Sequence, residues 1–536
     1  MKILLIFLIL YTGSAISQIE TTEILDYNNA SGIIGDEGIF FSRNSLGVAG
    51  YEIPKGSGKN TIYSGSLWVG AEDVNGLFYV SGSKYGTNSL QSQLHSGPIA
   101  DPIQYTSLDY QNQYSEAIWK VNQQEIDYHI QNYNQIGYSP PQSIMSWPGN
   151  GDVSLGVALQ LAPYADVNED GYYTPLEGDY PVIRGSEAVY VIMNDMSFNP
   201  DYNALGIEVH MMFYQYHDGT YFSNTTFLNV QVFNRSTINY YNYRQALYLD
   251  FDIGHYGDDY IGCDSANNVV FAYNGDVFDE DDGGALGYGL NPPCQGVVAL
   301  SHVLNSFGYF TNSGAYPYTD YQASDTVMWY FMNAEWGDGT PWVYGGQGYI
   351  GSLGATNTPS NFLYNGNPYT NTGWSEINAS NGNANPPGDR RGVMTISENE
   401  LPSGSSICSD FAFVYDKSST QLQNVQNVIN ISNSLRQLYE YQFEFPCNYT
   451  DFNLVEQQSL SDFIVFPNPA ENEFTISFEI VPQDATVEIS DMTGRIVFAQ
   501  TIENSFIKMN LENEVGVYFV SVNSKKGILV KKLILK

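Results

Sequence analysis

From Glu187 to Gly254 the chain alternates apolar and polar residues with the two-residue period of β-strands. In Thr226-Phe227-Leu228-Asn229-Val230-Gln231-Val232-Phe233-Asn234, Leu228, Val230 and Val232 fall on one face and Asn229 and Gln231 on the other. Upstream, Ile62–Gly70 and Gly76–Val80 are short apolar runs between glycine-rich turns, the signature of further strands. The period lengthens to three or four in two places. Over 115–132, Ile118, Val121, Ile126 and His129 share a face, with Lys120, Gln123 and Asp127 opposite. Over 419–440, Leu422, Val425, Val428, Ile429, Leu435 and Leu438 do the same, with Ser418 or Ser419 placed to cap. Both spacings predict helices. Residues 265–400 hold many turns and few runs, which predicts long decorated loops. The fold class is mainly β: a multi-sheet β-sandwich core with one or two short helices.

The ends divide the chain further. Met1-Lys2, the apolar Ile3–Tyr11 and the small residues around Ala15-Ile16-Ser17 read as a signal peptide over 1–17, leaving Gln18 at the new terminus. Its apolar run is far shorter than the roughly twenty residues a bilayer needs, and no later run is longer. The mature chain is therefore expected to lack a transmembrane segment. A β-rich region over 18–165 and a sandwich core over 166–445 are expected to follow, then a linker at 446–460 and a last domain over 461–536. Residues 459–536 carry 7 of the 20 Lys and Arg but only 10 of the 58 Asp and Glu, a charge shift that marks the last boundary.

A formal charge of −38 sets the chain against nucleic acid, whose phosphates are held by Lys and Arg, and in favour of divalent cations. Forty-three Tyr and fifty Gly suit strands and the turns between them, outside a cell. Four cysteines, Cys263, Cys294, Cys408 and Cys447, favour disulfides in an exported protein, and proximity favours Cys263–Cys294 and Cys408–Cys447.

The sharpest internal motif is Asp166-Val167-Asn168-Glu169-Asp170-Gly171-Tyr172-Tyr173-Thr174-Pro175-Leu176-Glu177. It matches a twelve-residue calcium loop, with oxygen ligands at one, three and five, Gly at six and Glu at twelve. Asp166, Asn168, Asp170 and Glu177 would supply side-chain oxygens, Tyr172 its carbonyl, and Thr174 a bridging water. The expected ion is structural Ca2+. A second acidic set, Asp250, Asp252, Asp258, Asp259 and Asp264, gathers around the Gly254 turn and either holds a cation or forms a solvated rim. Catalytic residues are not identified. There is no His-Glu-x-x-His, no Gly-x-Ser-x-Gly and no Cys-x-x-Cys. Trp329, Trp336, Trp342 and Trp374, with Tyr344, Tyr349 and Tyr369, form either core or a glycan-binding platform.

The last domain brings together Phe466-Pro467-Asn468-Pro469-Ala470, then Asp491, Gly494 and Arg495, then Gly516 and Tyr518, and finally the basic Lys531, Lys532 and Lys536. In that order these resemble the type A sorting domain of the Bacteroidota type IX secretion system. The resemblance implies a small Ig-like β-sandwich that the outer-membrane translocon recognises and a sortase removes. Cargo of that kind is released or linked to surface lipopolysaccharide. Segments such as Gly50–Lys59, Asp250–Gly254 and Pro387-Gly388-Asp389-Arg390-Arg391 resemble large secreted proteins of the same phylum that have no assigned activity. The expected function is a calcium-stabilised binding or adhesion protein of the outer surface, with a glycan or protein ligand. The alternatives are a polysaccharide hydrolase or lyase, which needs two facing carboxylates, and a structural matrix component.

Overall fold

The computed structural model describes residues 21–43, 48–82, 93–196, 204–217, 219–311, 317–319, 324–442, 447, 463–478, 481, 485–491, 495–502, 504–511, 515–524 and 527–536. The signal peptide, nearly all of the linker and Gly494 lie outside them. The chain divides into two compact units, Met1–Gln437 and Leu438–Lys536.

The larger unit is a sandwich of two nine-stranded antiparallel sheets. The first runs Thr22–Leu25, Ser31–Gly35, Ile39–Phe40, Asn60–Glu72, Tyr240–Phe251, Arg390–Leu401, Leu304–Phe310, with Tyr51–Glu52 and Phe78–Gly82 also paired to Asn60–Glu72. The second runs Ile118–Asn122, Glu187–Asn194, Ile207–Gln215, Thr225–Asn234, Ser406–Asp416, Cys294–Ala299, Val269–Asn274, Asp259–Asp264, with His95–Ser96 also paired to Glu187–Asn194. Strands from both halves of the chain interleave in each sheet, so no boundary falls at 165/166.

Between the sheets lies one continuous core in which Leu247, Leu249 and Phe251 face Leu228, Val230 and Phe413. Two polar pairs cross it. Gln245 Nε2 donates to Ser409 Oγ at 2.6 Å, and Thr61 Oγ1 to Gln295 Oε1 at 2.7 Å. Each satisfies a group that would otherwise be desolvated without a partner.

The outer faces are covered too, which the alternation pattern does not announce. The helix Asp325–Met332, capped by Ser324, lies on the first sheet. It approaches so closely that a Cβ at Gly70 would stand 2.7 Å from Met332 Cε and 2.9 Å from Trp329. Gly308 has no room for one beneath Trp342. These glycines serve packing rather than turns. Trp329, Trp336, Trp342 and Trp374 are all buried, so this cluster is core, and only Tyr344 and Tyr369 of that set stand exposed.

The helix expected over 115–132 is half strand. Ile118–Asn122 pairs with Glu187–Asn194, and Asn122 then caps a helix over Gln123–Asn132 by accepting the Glu125 amide proton at 2.9 Å. Pairing at the sheet edge overrides the local period. The second expected helix is present at Gln421–Gln442, with Val425, Val428, Ile429 and Leu435 buried. Within 265–400, strands at Val269–Asn274, Cys294–Ala299, Leu304–Phe310 and Arg390–Leu401 replace part of the expected loops.

The expected Cys263–Cys294 bridge does not form, and both are buried free thiols. Cys263 pairs with Val270 and Cys294 with Tyr273, on opposite sides of the same strand. Two strand spacings are about 9.5 Å, beyond the roughly 7 Å that a disulfide spans. Cys408 and Cys447 are disulfide-bonded.

On the second sheet, Glu208 is fully buried. It lies 2.7 Å from Arg235 Nη2 and 3.1 Å from His210 Nε2, and accepts the Ile99 amide proton at 2.8 Å. Burial alone would raise its pKa, but His210 and Arg235 outweigh that and bring it from 4.5 to about 2. Its folded-state pKa is thus below its unfolded value. The stabilisation is complete above about pH 4.5 and disappears as pH falls towards 2. The shift corresponds to about 3 kcal/mol. Urea unfolding across that range is expected to show this loss in the native protein and not in Glu208→Gln. An unchanged slope in the variant would contradict the assignment.

The smaller unit is a β-sandwich. One sheet holds Phe463–Phe466, Glu473–Phe478 and Phe506–Asn510, the other Ile496–Thr501, Thr486–Asp491, Gly516–Ser524 and Gly527–Leu535. Phe474, Ile476, Val487, Ile489, Val520, Val522 and Leu533 fill the space between.

Candidate functional site

Three places combine functional side chains, and the first is the terminal unit. The Asn468 amide bridges the last strand, donating to Lys532 O at 2.5 Å and accepting the Ile534 amide proton at 3.0 Å. Ala470 N donates to Ile534 O, and Lys536 N to Ala470 O, both at 2.9 Å. The Phe-Pro-Asn-Pro-Ala segment therefore clamps the basic C-terminal strand. Phe466 is half exposed beside it. Asp491 holds Arg495 at 2.9 Å, and Tyr518 pairs with Asp491 across the sheet. The motif residues among those described thus form one continuous structure.

The second place is the loop 166–177. Asp166 accepts amide protons from Gly171 at 2.8 Å and Asp170 at 3.2 Å, and Asp170 accepts that of Tyr172 at 2.8 Å. Gly171 takes φ +80°, the left-handed turn that favours glycine. Asp179, fully buried, closes the base by accepting from Val167 N at 2.8 Å and Thr174 N at 2.7 Å. Around the Asn168 amide nitrogen converge Asp170 Oδ2 at 3.0 Å, Thr174 Oγ1 at 3.4 Å and a Glu177 carboxylate oxygen. Rotating that amide by 180° would turn its oxygen towards the same point. Such an all-oxygen donor set fits a hard cation. The flanks are the short strand Tyr164–Ala165 and the 3-10 turn Pro175–Glu177 rather than two helices.

The third place is on the outer face of the first sheet. Asp250 stands between Ser64 on one neighbouring strand and Arg391 on the other. Opposite residues in antiparallel strands share a face with Cβ atoms about 4.5–5.5 Å apart. Arg391 Nε lies 3.2 Å from Asp250 Oδ1, and its Nη1 lies 3.0 Å from Asp389 Oδ1. Asp252 completes the group, and one oxygen each of Asp250, Asp252 and Asp389 lie within 4.8 Å of one another. Burial pushes the Asp250 carboxyl up to about 7, against the lowering effect of Arg391. Burial, then the charges of Asp250 and Asp389, hold Asp252 well above the carboxylate range.

The rest of the expected acidic set is dispersed. Asp258 lies 3.3 Å from His255 Nδ1. Asp259 is fully buried and accepts the Ile253 amide proton at 2.9 Å. Asp264 sits at the far end of its strand and caps a 3-10 turn by accepting from Ala266 N and Asn267 N. Asp389 was missed as a ligand because 139 positions separate it from Asp250. Its only trace in the sequence is the segment Pro387–Arg391.

Asp252 also opens on a groove of about 860 Å3. Tyr63 and Tyr256 line it beside Glu52, Asp252 and Asp282, with Ile33, Val48 and Leu286 as apolar wall. Among the described side chains, no Lys or Arg lines it.

Residues 464–536 match the family described as the secretion system C-terminal sorting domain. The chain is a type IX secretion substrate. Its sorting domain directs it to the cell surface or into the medium through the type IX machinery of Bacteroidota. One solved structure similar to the substrate is PorZ of Porphyromonas gingivalis, an essential bacterial surface component of the type IX secretion system. It is 23% identical over 14% of this chain and 11% of its own, with a TM-score of 0.13. A polysaccharide lyase is 6% identical over 63% of this chain and 35% of its own, with a TM-score of 0.19. The substrate thus spans about a tenth and a third of their lengths. No curated protein matches it. Among the described residues, no helix is long and apolar enough to cross a membrane.

Proposed function

We propose that this type IX substrate is a calcium-stabilised binding protein of the outer surface, and that the groove beside Asp252 holds its ligand. The observation that carries the reading is the groove's lining. Two tyrosines offer apolar faces with polar edges, three carboxylates accept hydrogen bonds, and among the described side chains no Lys or Arg lines the wall. Such a surface suits a neutral or amine-bearing glycan, or a basic peptide segment, and rejects polyanions. The Asp166–Glu177 loop contributes rigidity by holding calcium at a level met outside cells. Removal of the sorting unit by a sortase, and release or attachment to lipopolysaccharide, belong to the same reading.

A second reading rests on the carboxylates themselves. Asp250 and Asp252 are neighbouring acids with raised pKa values, and Asp252 reaches the groove, which is the equipment of a polysaccharide hydrolase. A glycan array beside a reducing-sugar assay on the same protein separates the two. Binding without sugar release is expected, weakened about tenfold in Tyr63→Ala, equivalent to roughly 1.4 kcal/mol. Sugar release abolished by Asp252→Asn would establish the hydrolase instead.

A further inference from the structure

The acidic cluster on the first sheet brings three carboxylates together, one of them buried and two partly so. One oxygen each of Asp250, Asp252 and Asp389 gathers beside the Arg391 guanidinium, and burial with mutual repulsion favours the protonated forms of Asp250 and Asp252 unless a cation takes the place of those protons. Asp250 is 2% exposed. Isolated buried charges cost several kcal/mol each unless paired. A single divalent cation would bring the group to neutrality.

A second, independent feature points to the same place. Ser64 is fully buried, sits directly across the strand pair from Asp250, and its Oγ has no hydrogen-bond partner among the described residues. Asp250 Oδ1 likewise accepts no hydrogen bond of good geometry, although Arg391 Nε lies 3.2 Å away. A buried hydroxyl without a protein partner has its hydrogen-bonding capacity open to a water or an ion. Here the hydroxyl shares a face with the carboxylate. Every donor is a hard oxygen, and no Cys or His belongs to the set, which selects calcium or magnesium over zinc or copper.

We propose that Asp250, Asp252 and Asp389, with Ser64 as a neutral fourth oxygen, form a divalent-cation site for calcium, distinct from the Asp166–Glu177 loop. Three chain segments more than a hundred residues apart contribute to it, so the ion would tie together the adjoining strands Asn60–Glu72, Tyr240–Phe251 and Arg390–Leu401. Asp258, Asp259 and Asp264 take no part. The site stands whether or not the groove binds a glycan, because its readout is metal content.

The test uses the full chain, stripped with chelator and dialysed to equilibrium against about 1 mM calcium, near the extracellular range, with bound metal measured by mass spectrometry. The loop variant Asp170→Ala/Glu177→Ala is expected to keep one tightly held calcium per chain. Adding Asp252→Asn is expected to abolish it. Asp389→Asn, at a partly exposed position, is expected to weaken it at least tenfold, and near-ultraviolet circular dichroism in each variant reports retention of the fold. A loop variant with no calcium would overturn the proposal, showing a cluster neutralised by protons and water. So would unchanged calcium in folded Asp252→Asn or Asp389→Asn.

Discussion

Deleting residues 462–536 is expected to leave the remaining chain in the periplasm, with essentially none at the surface or in the medium. Fractionation and immunoblotting of cells expressing the full and truncated chains would measure it. The magnitude follows from what the deletion removes: the whole unit that matches the sorting family, including the clamp between Asn468 and the final strand. Point changes within that unit should act in proportion to the clamp. Asn468→Ala removes two hydrogen bonds to the terminal strand, each contributing about 0.5–1.5 kcal/mol. Partial retention is expected, because the sandwich core over Phe474–Leu533 is untouched. Full surface display of the truncated chain would refute the assignment of the tail.

Replacing Arg390 by Met is expected to destabilise the larger unit by about 3–5 kcal/mol, the usual cost of stranding a buried charge. Arg390 meets Glu376 through both guanidinium edges, Nε to Oε1 at 3.0 Å and Nη2 to Oε2 at 3.1 Å. Glu376 is fully buried. It also accepts the Ile261 amide proton at 3.0 Å and an Asn385 amide proton at 3.2 Å, so it fastens the loop around 376–385 to the second sheet. Arg390 itself donates to Pro386 O at 2.7 Å. Losing the guanidinium leaves a carboxylate that water cannot reach. The double variant Arg390→Met/Glu376→Leu should recover part of the loss, since an apolar pair of similar volume carries no unpaired charge. Urea midpoints of the larger unit would decide. A shift below about 1 kcal/mol in Arg390→Met would mean that the pair is solvated and contributes only as much as a surface ion pair.

Strand positions and chain organisation were legible where the pattern is local. The alternation in Thr226–Asn234 reports a strand with one face on the core, and the spacing from Leu422 to Leu435 reports a helix, because each follows from neighbours two to four residues apart. The loop pattern at 166–177 is local in the same way: its six expected ligand positions lie within twelve residues, and the structure gathers Asn168, Asp170, Thr174 and Glu177 round one point. The helix assigned to 115–132 failed at Ile118–Asn122, where the partner strand Glu187–Asn194 supplies hydrogen bonds that no local signal carries. The cysteine pairing failed because proximity in sequence does not measure distance across a sheet.

By itself the sequence determined the mainly β class, the export signal in the tail and the acidic character, since composition, short periods and contiguous motifs need no knowledge of the fold. The tertiary structure alone decided that Asp389 and Ser64 join Asp250, that Asp264 does not, and that the tryptophans are buried. Those facts depend on strand register, and register is fixed by the packing of two whole sheets rather than by any segment of either.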